Sequence, residues 1–270
     1  MAILGLLIQT KTGIPVYFST WSDKIEKLKT IDTGLITGFF SAIFSFTDSF
    51  HKKLGYIRLL DSPMEIYGVD TVCLEVENYL FLCFVDSYQF HELVKYKLKW
   101  IYNIILKDLN TLNGAVYKLS PEQEVLIEDI LRDHHLKHSI LNVKGNLNVK
   151  IDELIIENSI FGISINSFDN SILYSNGIEY SSFELFLNNL GQKGSLIGDE
   201  EILYTYVSVP DFLPVLVVLI NPVIKFPISD IIQEMAQGEL PIYFCLIVDV
   251  NANVHEIVDK VLAKLNPLLI

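Results

Sequence analysis

Apolar and polar positions along this chain switch between two periods. Residues 2–10 form an apolar run of strand length, Lys11-Thr12-Gly13 a polar turn, and residues 14–18 a second short strand. A polar loop leads to residues 31–46, where the period becomes helical and Gly34 and Gly38 lie inside the helix. Strands are expected over residues 54–60, 70–76 and 79–85, with Ser62-Pro63 ending the first and Glu77-Asn78 turning between the last two. The run 79–85 is apolar at every position, as a central strand covered on both faces requires. Asp86-Ser87 is expected to start a helix, whose spacing shows in Leu93, Val94, Leu98, Ile101, Ile105 and Leu109. Ser120-Pro121-Glu122-Gln123 is another helix start, with proline in the first helical position and an acidic first turn. That helix is expected to reach about His134.

Residues 137–150 have no strong period and contain Lys144-Gly145-Asn146. Residues 139–150 therefore read as a linker between a first domain, 1–138, and a second α/β domain, 151–270. The second half repeats part of the first without detectable residue identity. Strands are expected over 160–166 and 171–174 around an Asp169-Asn170 turn, a helix over 181–190, and strands over 201–209 and 213–220. Pro227-Ile228-Ser229-Asp230 then starts a helix to Ala236, ahead of a strand over 242–248. A helix between strands predicts a parallel crossover there. An amphipathic helix over 254–265 follows.

The totals narrow the partners. The chain has 270 residues, half of them apolar and 20% charged, which is a globular composition able to bury a core. Its net charge of −13 argues against a nucleic-acid partner and against general adhesion to anionic lipid. Only two arginines occur, Arg58 and Arg132, so bidentate recognition of phosphate has two candidates. Cys73, Cys83 and Cys245 lie far apart in apolar runs, the pattern of buried thiols in a reducing cytoplasm. No apolar run approaches the ~20 residues that span a bilayer, and the N-terminus lacks the basic start of a signal peptide. The expectation is a soluble, cytoplasmic protein that reaches membranes through partners.

The opening order of strand, tight turn, strand, loop and Gly-containing apolar helix resembles the longin domain. The order two strands, helix, three strands, two helices extends the resemblance over residues 1–138. It implies an α+β fold, a five-stranded antiparallel sheet with one helix on one face and two on the other. The second half is longin-like or roadblock-like, or an unrelated α/β domain. Longin domains serve membrane trafficking and the regulation of small GTPases, and are binding modules more often than enzymes. The implied partners are a small GTPase or a longin or roadblock protein, without a cofactor.

The residues themselves offer a docking surface more readily than a catalytic one. On the helix 31–46, Leu35, Ile36, Phe39, Phe40, Ala42, Ile43, Phe44 and Phe46 cover more than half the circumference. The large apolar stripe is expected on the sheet. Gly34, Gly38, Ser41 and Ser45 share a narrow line opposite, and no charge occurs between Thr33 and Thr47. Small residues in a line let another backbone come close. That backbone belongs to a partner, to the chain's own second half, or to a twin subunit. The strand of Ile14, Val16 and Phe18 carries Pro15, which suits a sheet edge open to strand addition. Arg58 raises the alternative of an arginine finger, against a salt bridge or a solvent-facing strand position. His134 and His138 are spaced as a metal pair but lack a third ligand, so a solvated helix end is expected. HExxH, GxGxxG, Walker A and GxSxG patterns are all missing, and no catalytic residue or metal ligand is assigned.

Overall fold

β1 (Ile3–Thr10) and β2 (Pro15–Thr20) form a hairpin whose turn places Gly13 at φ 85°, a left-handed backbone suited to glycine. A 3-10 segment (Asp23–Thr30) precedes α1 (Thr33–Ser49), and β3 (Tyr56–Leu59), β4 (Val69–Val76) and β5 (Tyr79–Asp86) follow. α2 (His91–Ile101) runs into a π turn (Tyr102–Leu106), and α3 (Pro121–Arg132) ends the first compact unit, Met1–Arg132. The computed structural model describes residues 3–50, 52–59, 68–107, 119–190, 202–209, 213–221 and 242–269.

The first sheet is antiparallel throughout, in the order β2-β1-β5-β4-β3. β5 is central and buried at every residue, which is why its sequence is apolar without alternation. Leu80, Leu82 and Phe84 face one way and meet Ile36, Phe40 and Phe44 of α1. Phe81, Cys83 and Val85 point to the opposite face by parity and are also dry. α2 covers that second face beside β4, and α3 joins it there, with Glu124 and Glu128 near Tyr17 of β2. One helix on one face and two on the other is the observed arrangement.

Local chemistry accounts for the helix starts. Asp32 caps α1, its Oδ1 accepting from the backbone N–H of Gly34 at 2.7 Å and of Leu35 at 3.3 Å. Ser120 and Gln123 form a reciprocal capping box on α3, with bonds of 2.9 and 3.3 Å. α2 begins at His91, later than Asp86-Ser87, because Gln89 closes a turn back onto the Asp86 carbonyl. Lys97, fully buried, donates to the Leu131 carbonyl at 3.2 Å and so satisfies the C-terminal end of α3.

The second unit, Asp133–Ile270, starts ahead of the segment expected to be a linker. Residues 139–150 belong to α4 (His134–Glu157), so the first unit ends at Arg132 and the 139–150 linker does not exist. Asp133, at φ 53°, separates α3 from α4. β6 (Ile160–Asn166), β7 (Ile172–Asn176), α5 (Tyr180–Leu190), β8 (Ile202–Val207), β9 (Val215–Ile220), β10 (Tyr243–Asp249) and α6 (Val254–Leu269) complete it. Its sheet order, β7-β6-β10-β9-β8, repeats that of the first sheet in chain order. β10 pairs antiparallel with both β6 and β9, which overturns the expected parallel crossover. The helix expected over 227–236 lies outside the described residues. α4 and α6 pack on one face through Ile140, Leu147, Ile151, Val258, Val261 and Leu265. α5 lies on the other, where Phe183 closes to 3.0 Å of a Cβ placed on Gly162.

Gly177, just after β7, sits at φ 102°, and a Cβ there would lie 2.5 Å from the Phe161 carbonyl oxygen. Gly177→Ala is therefore expected to destabilise the second unit by about 1–3 kcal/mol. Gly145→Ala on α4 meets nothing within 4 Å and should gain up to ~1 kcal/mol. Urea unfolding of both variants checks the pair. Equal midpoints would show that the turn after β7 is not constrained in this way.

Candidate functional site

α1 carries three faces. Ile36, Thr37, Phe40 and Phe44 are buried, spaced by the i, i+4, i+8 repeat of one helix stripe. The opposite face is open and divides along its length. Gly34, Gly38, Ser45 and Ser49 form a line of small exposed residues. Leu35, Phe39, Phe46 and Phe50 form a parallel line of large ones, 70, 58, 64 and 60% exposed. Ala42 lies between the two lines. The expectation that the whole large stripe meets the sheet is thus corrected, since about half of it points outward. An apolar arc wider than half a helix exceeds the ~100° that one sheet contact covers, and that width was the signal for the outward line.

The expected small line is also only partly outward. Gly34, Gly38 and Ser45 are exposed, and a Cβ on Gly38 would meet no heavy atom within 4 Å. Ser41 is half-buried and tied inward, its Oγ accepting from Gln9 Nε2 at 2.9 Å. Gln9, fully buried on β1, also donates to the Thr37 carbonyl at 3.2 Å. The β1–β2 turn reaches the same place, with Ser41 Oγ 3.1 Å from a Cβ built on Gly13. β2 is an edge strand of the described sheet. Ile14 is exposed just ahead of it and Val16 is half-buried, while Phe18 packs against the α1 core and is not a surface anchor.

The other expected chemistry resolves into structure. Arg58 forms a bidentate pair with the buried Asp70, Nε to Oδ1 at 2.6 Å and Nη2 to Oδ2 at 2.8 Å. His91 Nε2 lies 3.0 Å from Asp70 Oδ2, and the Tyr56 ring packs on the His91 ring at 4.7 Å. An arginine so held cannot extend as a finger. Burial pushes the Asp70 carboxyl up, but the hydrogen bonds from Arg58 and His91 outweigh it and leave the pKa below the ordinary value. Arg132 pairs with Glu128 one turn earlier. His134 and His138 lie in the opening turns of α4, just past the end of α3, and no group of described residues could hold a metal ion.

Cys73, Cys83 and Cys245 are buried thiols outside any disulfide, and burial pushes the Cys73 and Cys245 thiols up to about 12. The buried polar turn between β6 and β7 is knitted to itself: Asn166 Nδ2 donates to Asn170 Oδ1 at 2.8 Å and Ser171 N–H to Asp169 Oδ1 at 3.0 Å. Among the described residues no single helix is long and apolar enough to cross a membrane. No model of a known protein family matches the chain, and no curated protein matches it significantly.

The Asp70 cluster gives a prediction with a fixed sign. A carboxylate whose pKa is lowered by folding adds stability above its unfolded value of ~3.9, and that stability is lost as pH falls below it. Asp70→Asn should cost about 1–3 kcal/mol near neutral pH, because Arg58 and His91 lose the charge and one of the two oxygens they share. The variant should also show a shallower acid limb. Chemical unfolding across pH checks both, and an unchanged acid limb would remove Asp70 as its source.

Proposed function

We propose that this chain is a non-catalytic docking protein of longin type, which binds or regulates a small GTPase or a longin or roadblock partner. The observation that carries the reading is the outward face of α1. Three phenylalanines and a leucine stand in water there, beside a line of glycine and serine, with no charge from Thr33 to Thr47. Clustered apolar exposure of this kind marks an interaction surface in a folded protein. The element order of the first unit and its β2-β1-β5-β4-β3 sheet support the longin reading. The Pro15-bearing edge strand β2 offers a second contact by strand addition. In this reading the protein works in trafficking-type machinery, scaffolds or regulates its partner by contact, and reaches membranes through that partner.

The test uses the full chain against a panel of small GTPases, loaded with GDP or a GTP analogue, and against longin and roadblock proteins. Capture by one of them should fall at least about tenfold with Phe46→Ser or Gly38→Leu, as expected for central interface positions. Gly38→Leu should leave thermal unfolding unchanged or raise stability by up to ~1 kcal/mol, since nothing faces Gly38 and leucine is the better helix former. Capture that ignores both substitutions, or no capture by any of these proteins, would overturn the reading. A drop in thermal stability of Gly38→Leu would mean that the small line packs within its own fold.

A further inference from the structure

The outward face of α1 has a shape that bears on who occupies it. At about 100° per residue, Ala42 marks the centre of the exposed arc. Gly34, Gly38, Ser45 and Ser49 fall to one side of that centre, and Leu35, Phe39, Phe46 and Phe50 to the other. The helix therefore presents a ridge and a groove, side by side and of equal length. We infer that the occupant is a second copy of this chain, its α1 running parallel about a two-fold axis along the helix. The inference rests on the reading of this face as a docking surface and names one partner for it.

The parallel direction follows from the geometry. A two-fold axis along the helix carries each ridge onto the other copy's groove. Phe39 then faces Gly38 of the second copy, and Phe46 faces Ser45 and Ser49. An antiparallel pair would instead set ridge on ridge and groove on groove, losing the interdigitation that helix packing favours. Such a contact is isologous, as in most symmetric dimers. Between Thr33 and Thr47 it desolvates no charge, because none lies there, and Asp48 falls beside the arc, about 120° from Ala42.

The area is adequate but small. A large aromatic side chain offers roughly 150–250 Å², so the four ridge residues leave on the order of 500 Å² in water. Two copies would remove about 1,000–1,200 Å², the lower edge of specific interfaces. The dimer should therefore be weak and dependent on concentration.

Sedimentation of the full chain over roughly 1 µM to 1 mM, the span proper to small interfaces, should show a reversible monomer–dimer equilibrium. Two complementary variants test the shape. Leu35→Ala/Phe39→Ala/Phe46→Ala removes the ridge, and Gly38→Leu/Ser45→Leu fills the groove. Each alone should lose dimer at least about tenfold, and their mixture should regain it. Direction is read by oxidation, against a background of three buried native thiols. Ser49→Cys should couple to itself in a parallel pair. Ser49→Cys mixed with Leu35→Cys should couple preferentially in an antiparallel one. A monomer at every concentration, a mixture without rescue, or preferential 49–35 coupling would overturn the proposal. The broader docking reading would survive a monomer if Phe46→Ser still abolished capture of another protein.

Discussion

The roll of α1 about its own axis decides what the first unit shows to its surroundings, and a buried amide sets that roll. Gln9 has no exposed surface, yet it carries a polar side chain into an apolar layer. Its Nε2 finds the Thr37 carbonyl and the Ser41 hydroxyl, one helical turn apart on α1. A buried amide left without such partners is costly, so the pair of bonds favours one rotation of the helix. An apolar arc covering more than half of α1 would fit the sheet at several rotations. Gln9 picks the one that turns Ile36, Phe40 and Phe44 inward and leaves the Ala42 face outward.

The two units share a sheet order but not this surface. In each, the last strand of the sheet in sequence becomes central, β5 in one and β10 in the other, and both are dry. A strand dry on both faces needs cover on both, and the helix after the second strand supplies one side. The other side is filled differently, by α2 and α3 after β5, but by α4 before β6 and α6 after β10. Topology therefore does not carry the exposed apolar face with it. None of the described α5 side chains is a large exposed apolar one, whereas α1 and the cap that follows it show four. The asymmetry leaves α5 as cover for its own sheet, while α1 both covers its sheet and exposes an apolar face.

Much of this architecture was legible in the residues. The unbroken apolar run 79–85 declared a central strand, Pro15 declared an edge, and Ser120 with Gln123 declared a helix start. α4 was hidden. Its inward residues Leu136, Ile140, Leu147, Ile151 and Leu154 keep helical spacing, but Leu141, Val149 and Ile156 point outward and blur the period. Gly145 and Asn146 added to the impression of a linker. The antiparallel placement of β10 was hidden for another reason. A helix in a connection permits either strand direction, and β10 lies antiparallel in the slot between β6 and β9. The candidate site was half legible, because a helical wheel gives the width of the apolar arc but not which part of it the sheet takes.

Magnitude explains why such a face can stay exposed in a folded chain. At about 25 cal/mol per Å², burying the ~500 Å² ridge has a gross value near 12 kcal/mol. Lost translation and rotation cost an estimated 4–15 kcal/mol on association, and ordered side chains cost more. The two sides nearly cancel, so the ridge alone holds a partner only loosely. Phenylalanine limits the second cost, having few rotamers to lose, and the glycine and serine line adds shape at almost none. A lasting complex then needs a further contact, and the edge of β2 belongs to the same unit with its backbone row unpaired in the described sheet. A surface balanced in this way suits exchange of partners, because each added contact moves the population by a large factor while none is indispensable to the fold.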